Sequence, residues 1–189
     1  MKKALVVVDM QNDFCPGGSL AVNEGDKIVP IINSLMDKFD IVIATQDWHP
    51  ADHCSFKENG GIWPKHAVQG TNGADLHKDL DTKPIKMILR KGMNKSMDSY
   101  SGFFENDKVT STGLEFFLDD MEIEEVWVCG LARDYCCAYT AIDSKNGGFE
   151  TFLIEDATRA VDLPEGNAEK MKQQMLDLGI KIVSSRDIC

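Results

Sequence analysis

Short runs of aliphatic and β-branched residues recur along the chain, separated by longer stretches with helical spacing, and this alternation constrains the fold more than any other feature. The apolar runs fall at 4–8, 41–45, 87–90, 126–130, 151–154 and 181–184. Several are apolar on consecutive residues, as strands buried on both faces must be. Helical periodicity covers 26–39, 112–121, 134–146 and 166–178, with Gly179 placed as a C-terminal stop. About six strands alternating with helices imply a mainly parallel sheet covered on both sides, a doubly wound three-layer α/β/α sandwich. At 189 residues, with no repeat or low-complexity linker, the chain reads as a single domain over 1–189.

Charge narrows the function. Twenty basic residues against 31 acidic give a net charge of −11, which opposes nucleic-acid binding and favours a small neutral substrate. No apolar run is long enough to span a membrane. The opening Met-Lys-Lys-Ala-Leu-Val-Val-Val resembles the start of a secretion signal. Its apolar run stops at Asp9 and no cleavage site follows, so it reads as the first strand. Six scattered cysteines, two of them adjacent, suit a reducing compartment, and the expected location is the cytoplasm.

In a parallel sheet the C-terminal strand ends share one side, where ligands bind. Here those ends carry Asp9, then Asp47-Trp48-His49, then Lys91, and the fourth leads to Cys136. Cys136 stands at a helix N-terminus, where the helix dipole favours a thiolate nucleophile. Asp47, His49 and His66 have the composition of an open divalent-metal site, with His53 and Glu58 as alternatives for a further ligand. His77 reads as an ordinary loop histidine. The segment 46–84, which contains all three of these ligands and two of the three tryptophans, is too long for a plain connection and reads as an active-site loop.

The chain carries Val8-Asp9-Met10-Gln11-Asn12-Asp13-Phe14, Asp47-Trp48-His49-Pro50, Trp63-Pro64-Lys65-His66, Arg90-Lys91-Gly92, Ser99-Tyr100-Ser101-Gly102-Phe103 and Gly130-Leu131-Ala132-Arg133-Asp134-Tyr135-Cys136. Over essentially its whole length it resembles the isochorismatase-like cysteine hydrolases and looks like their nicotinamidase branch. Isochorismate-type and carbamoyl-cleaving members share parts of this set without the metal motif. Arg133 departs from the family, which more often has a small polar residue there. The resemblance implies hydrolysis of nicotinamide through a cysteine thioester, with Asp9, Lys91 and Cys136 as the catalytic residues. It implies an oxyanion hole from the N–H groups of Ala132 and Cys136, with the preceding peptide cis, and a pocket walled by Phe14, Trp63 and Leu20. One divalent ion, zinc ahead of iron or manganese, would sit on Asp47, His49 and His66 and bind the ring nitrogen. The implied partner is the small-molecule substrate alone, with no nucleic acid or membrane; self-association is left open. The rival readings are another small-amide hydrolase of the family, a non-catalytic metal-binding regulator, and a redox protein using Cys136 and Cys137, whose adjacency disfavours a disulfide.

Overall fold

From Ala4 to Val8 every side chain of the first strand is buried, and odd and even positions feed different cores. The computed structural model describes residues 1–188, so Cys189 lies outside the described residues. Six strands, β1 (Lys3–Val8), β2 (Ile41–Asp47), β3 (Ile85–Lys91), β4 (Glu125–Leu131), β5 (Glu150–Arg159) and β6 (Lys181–Val183), form one sheet in the order β3-β2-β1-β4-β5-β6. Every pairing is parallel. On one face Leu5, Val7 and Val42 pack with Ile32 and Leu35 of α1 (Val29–Leu35). On the other, Ala4, Val6 and Ile43 pack with α2 (Leu114–Asp120), α3 (Ala138–Asn146) and α4 (Asn167–Asp177) through Leu118, Ala141 and Met175. The expected three-layer, doubly wound sandwich is therefore the architecture observed.

Local differences have physical causes. The helical segment expected at 26–39 splits into a 3₁₀ turn, the short α1 and another 3₁₀ turn. Pro30 sits in the first turn of α1, where a missing N–H costs nothing. β5 runs to Arg159 rather than stopping at 154, because the acidic pair that breaks the apolar pattern finds partners. Glu155 accepts from Lys172 at 2.7 Å and Asp156 accepts from the Ser185 N–H at 2.8 Å. Gly179 does end α4: it has φ +79°, and the Ile180 N–H closes onto the Met175 carbonyl at 3.0 Å. β2 extends through Asp47, so the long connection begins at Trp48, two residues later than the expected boundary.

Strand order reverses between β1 and β4, opening a crevice beyond their C-terminal ends. Gly130 makes their close approach there: a Cβ on it would lie 2.1 Å from the Val8 carbonyl oxygen. The peptide Leu131–Ala132 is cis, as the resemblance implied. Beyond it, Arg133–Cys137 forms a π-helical turn leading into α3, an irregularity common at functional sites. The long connection folds back over the same end, with residue bridges from His49 to Val68 and from Phe56 to Trp63.

Candidate active site

Asp9, Asp47, Lys91 and Cys136 meet at the switch point, all buried. Asp9 stands one residue past β1 with φ +47°, and Thr45 of β2 donates to its Oδ1 at 2.6 Å. Lys91 Nζ forms an ion pair with Asp9 Oδ2 at 2.9 Å, off the line of a good hydrogen bond. It also donates to Asp47 Oδ1 at 2.5 Å, to the Ser99 carbonyl at 2.8 Å and to Cys136 Sγ at 3.6 Å. The Cys136 sulfur and carboxylate oxygens of Asp9 and Asp47 lie within 4.8 Å of one another.

Electrostatics at this cluster bear on one expectation. Burial pushes the Cys136 thiol well above its ordinary value; Lys91 opposes this, while Asp9 and Asp47 reinforce it. Burial therefore works against the resting thiolate that the helix dipole favours. Burial also raises Asp9, against the pull of Lys91 and with a push from Asp47. Burial would neutralise Lys91, but Asp47 and Asp9 outweigh it and keep the ammonium charged.

Asp47, His49 and His66 present ligand atoms within 4.8 Å of one another. His49 Nδ1 bonds the Gly92 carbonyl at 2.8 Å, and His66 Nδ1 bonds the Pro64 carbonyl at 2.7 Å. A carbonyl only accepts, so both rings carry the Nδ1 proton and keep an Nε2 lone pair, the arrangement of a metal-ligating histidine. His49 Nε2 is buried without a hydrogen-bond partner, 3.5 Å from Asp47 Oδ2. This donor set fits a divalent ion. Burial opposes charge on His49, but Asp47 overcomes it and raises the pKa. On His66 burial prevails and lowers it. Gly92, with φ +62°, makes room for the first ring, since a Cβ there would lie 2.4 Å from His49 Cε1.

Of the two alternatives for a further ligand, His53 groups with His49 and Asp98, their ligand atoms within 4.8 Å of one another, while Glu58 belongs to no such group among the described residues. His53 stacks on His49 with centroids 4.0 Å apart, and both its nitrogens are engaged, by Ser55 Oγ at 2.7 Å and the Met97 carbonyl at 3.1 Å. Glu58 is exposed and pairs with Lys65 at 3.2 Å. His77 lies apart, accepting from the Asp79 N–H at 3.3 Å.

Phe14, Leu20 and Trp63 line the crevice together with Ala132, Cys136, Asp47 and His66. Tyr100, Tyr135 and Val161 also belong to its wall, and composition and spacing gave no reason to pick them out. Trp63 Nε1 donates to Tyr100 Oη at 3.0 Å and its ring meets Tyr135 edge-on at 5.0 Å. Arg133 is not among the lining residues; its guanidinium lies 3.7 Å from Glu155. The Ala132 carbonyl accepts from the Tyr135 and Cys137 N–H groups, both at 3.1 Å, which flank that of Cys136. Two supports were also missed. Gln11 exchanges 2.8 Å bonds with the Asp47 backbone, and Asp13 accepts from the Ala67 N–H at 2.8 Å, beside His66.

Comparison with known proteins agrees with this geometry. The Isochorismatase domain model matches residues 3–187. The chain belongs to the isochorismatase family. It is 43% identical to the nicotinamidase of Acinetobacter baylyi, over 98% of this chain and 94% of that protein. Among solved structures, the nicotinamidase and pyrazinamidase of Acinetobacter baumanii superposes with a TM-score of 0.97 at 43% identity, covering 100% of this chain and 98% of that one. The pyrazinamidase of Pyrococcus horikoshii, solved in complex with zinc, gives 0.87 at 40% identity, covering 97% and 99%. Family members of this kind are hydrolases, and the chain is an amidohydrolase by the same relationship. Among the described residues no helix is long and apolar enough to cross a membrane, and the five cysteines there are free thiols.

Proposed function

We propose that this chain is a nicotinamidase, converting nicotinamide to nicotinate and ammonia in NAD salvage, through a thioester on Cys136. The observation that carries the reading is a single crevice lined by Cys136 and Ala132 and also by Asp47 and His66. A flat pyridine amide can thus offer its carboxamide to the thiol and its ring nitrogen to the metal-type ligands. The relatives' names point to the same substrate.

Because burial disfavours a free thiolate, proton transfer accompanies attack. Asp9 takes the Cys136 proton as the sulfur bonds to the amide carbon, and the carbonyl oxygen becomes an oxyanion. The N–H groups of Ala132 and Cys136 receive that oxyanion, donors that need no reorganisation when charge develops. Asp9 then gives its proton to the departing nitrogen; the C–N bond breaks and ammonia leaves. Water attacks the thioester with Asp9 as base, nicotinate forms, and the sulfur recovers its proton. Lys91, charged, ion-paired with Asp9 and hydrogen-bonded to Asp47 and the Ser99 carbonyl, keeps Asp9 ionisable in a buried site. Phe14, Leu20 and Trp63 sandwich the ring and exclude water. Asp47, His49 and His66 would hold one divalent ion, zinc by the precedent of the Pyrococcus protein. When bound, that ion supplies a Lewis-acid contact that orients the ring. The five free thiols among the described residues suit a reducing compartment, and we place the enzyme in the cytoplasm as a single domain, with the long loop at its active site.

The test is ammonia release from nicotinamide, pyrazinamide and benzamide, with metal content measured on the same sample. All three present the same amide on a flat ring, and only benzamide lacks a ring nitrogen. A site built around a polar partner rejects the analogue lacking it by up to about 10⁴. Benzamide hydrolysis equal to that of nicotinamide would refute ring-nitrogen ligation and leave a broader aromatic amidase.

A further inference from the structure

Asp134 is a buried carboxylate that the reaction above does not use. Among the described residues no Lys or Arg pairs with it; N–H donors satisfy it instead. Its Oδ1 accepts from the Val161 N–H at 2.9 Å, and its Oδ2 from the Asp162 N–H at 2.9 Å and from Asn167 Nδ2 at 3.2 Å. All three lie in or just beyond the segment that leaves β5 for α4, and Val161 lines the crevice. The next residue, Tyr135, donates its hydroxyl to the Leu163 carbonyl in the same segment. Asp162 in turn accepts from the Ala168 N–H at 2.9 Å, tying the segment to the start of α4. A carboxylate two residues before the reactive sulfur thus holds part of the crevice wall.

We propose that Asp134 is a positioning residue that sets the size limit of the substrate pocket by holding Val161 against the crevice. The proposal rests on the nicotinamidase reading for its substrate. Asn cannot replace Asp there: its amide group would turn a donor toward one of two backbone N–H donors, so one strut is lost and replaced by repulsion. The released segment lets Val161 withdraw, and larger rings enter.

Two readouts test this. The first is the ratio of kcat/KM for a ring-methylated nicotinamide to that for nicotinamide. Asp134→Asn should raise this ratio about tenfold, the scale on which a hydrophobic pocket senses one methyl group. Val161→Ala, which shortens the wall itself, should raise it similarly, and the double variant should add little to either. The second readout needs no substrate: the rate of Cys136 alkylation by a bulky N-aryl maleimide relative to iodoacetamide, located by peptide mapping. A change in thiol acidity moves both rates together, whereas a displaced wall moves their ratio. Equal losses on both amides with an unchanged alkylation ratio would overturn the proposal. So would Val161→Ala with unaltered size preference, which decides the matter even if Asp134→Asn fails to fold. A parent that alkylates size-selectively but leaves nicotinamide intact would sink the nicotinamidase reading and not this one.

Discussion

Replacing Lys91 with Met keeps most of the aliphatic stem and deletes the charge that sits between two buried carboxylates. Sequence alone suggests that folding survives unharmed, but the structure adds a cost. Lys91 is fully buried, 2.9 Å from Asp9 and 2.5 Å from Asp47. Removing one partner of a buried ion pair leaves an uncompensated charge and typically costs about 3–5 kcal/mol. At about 2–4 °C per kcal/mol for a domain of this size, Tm should drop by roughly 6–20 °C in metal-free protein. The sign with pH follows. Burial already raises the Asp9 pKa above its ordinary 3.8, and without the ammonium it rises further, so the variant's deficit grows as pH climbs from that ordinary value through the raised one. Metal loading should shrink the deficit, since a cation on Asp47 replaces part of the lost charge. Turnover should fall by about 10² or more even where the protein is folded, the usual loss for a positioned catalytic group. Thermal melts with and without chelator, paired with ammonia release on the same samples, measure both effects. A variant within a few-fold of parent activity and within about 2 °C of its Tm, less than 1 kcal/mol, would refute the central placement of Lys91.

Four further outcomes follow from the same geometry. Thr45→Val removes the hydroxyl that donates to Asp9 and favours its charged form, so the acid limb of kcat/KM should move to higher pH; an unmoved limb contradicts Asp9 as base. Gly92→Ala drives a Cβ into the His49 ring and should lower metal stoichiometry, read by elemental analysis, whatever happens to activity. Cys137→Ala should keep most of the turnover that Cys136→Ala abolishes, because burial holds Cys137 protonated well above its ordinary value and its side chain packs in the core; equal activities would reverse the assignment. Asp156→Ala should cost about 1–3 kcal/mol near neutral pH through its charge-assisted bonds to Ser185. Burial would raise this carboxyl, but the Ser185 bonds win and depress it, so denaturant melts should find the cost fading as pH falls below the ordinary 3.8.

The architecture was legible because both faces of the sheet are covered. Runs such as Ala4–Val8 could then be apolar at every position, which fixed the strands and the side of the sheet where the site must lie. Asp9, Asp47, Lys91 and Cys136 were legible for the same reason, since parallel strands deliver their C-terminal ends to one crevice. Asp134 and Gln11 were not legible as supports. Each acts through bonds to backbone that is 27 to 63 residues away in sequence, and hydrogen-bonding polar residues at turns look alike until the fold brings their partners near. The burial that opposes a Cys136 thiolate was not legible, because a helix terminus is visible in sequence while the depth of burial is not. The surroundings of His53 were not legible either: its two nitrogens meet Ser55 Oγ and the Met97 carbonyl, while its ligand atoms group with those of His49 and Asp98.

The central claim is that Cys136 carries the acyl group. The direct measurement is rapid acid quench of the metal-loaded enzyme during nicotinamide turnover, followed by intact and peptide mass spectrometry. A nicotinoyl adduct confined to the peptide bearing Cys136, formed at least as fast as ammonia appears and absent in Cys136→Ala, is the result expected. Ammonia release at the parent rate by Cys136→Ala would contradict it.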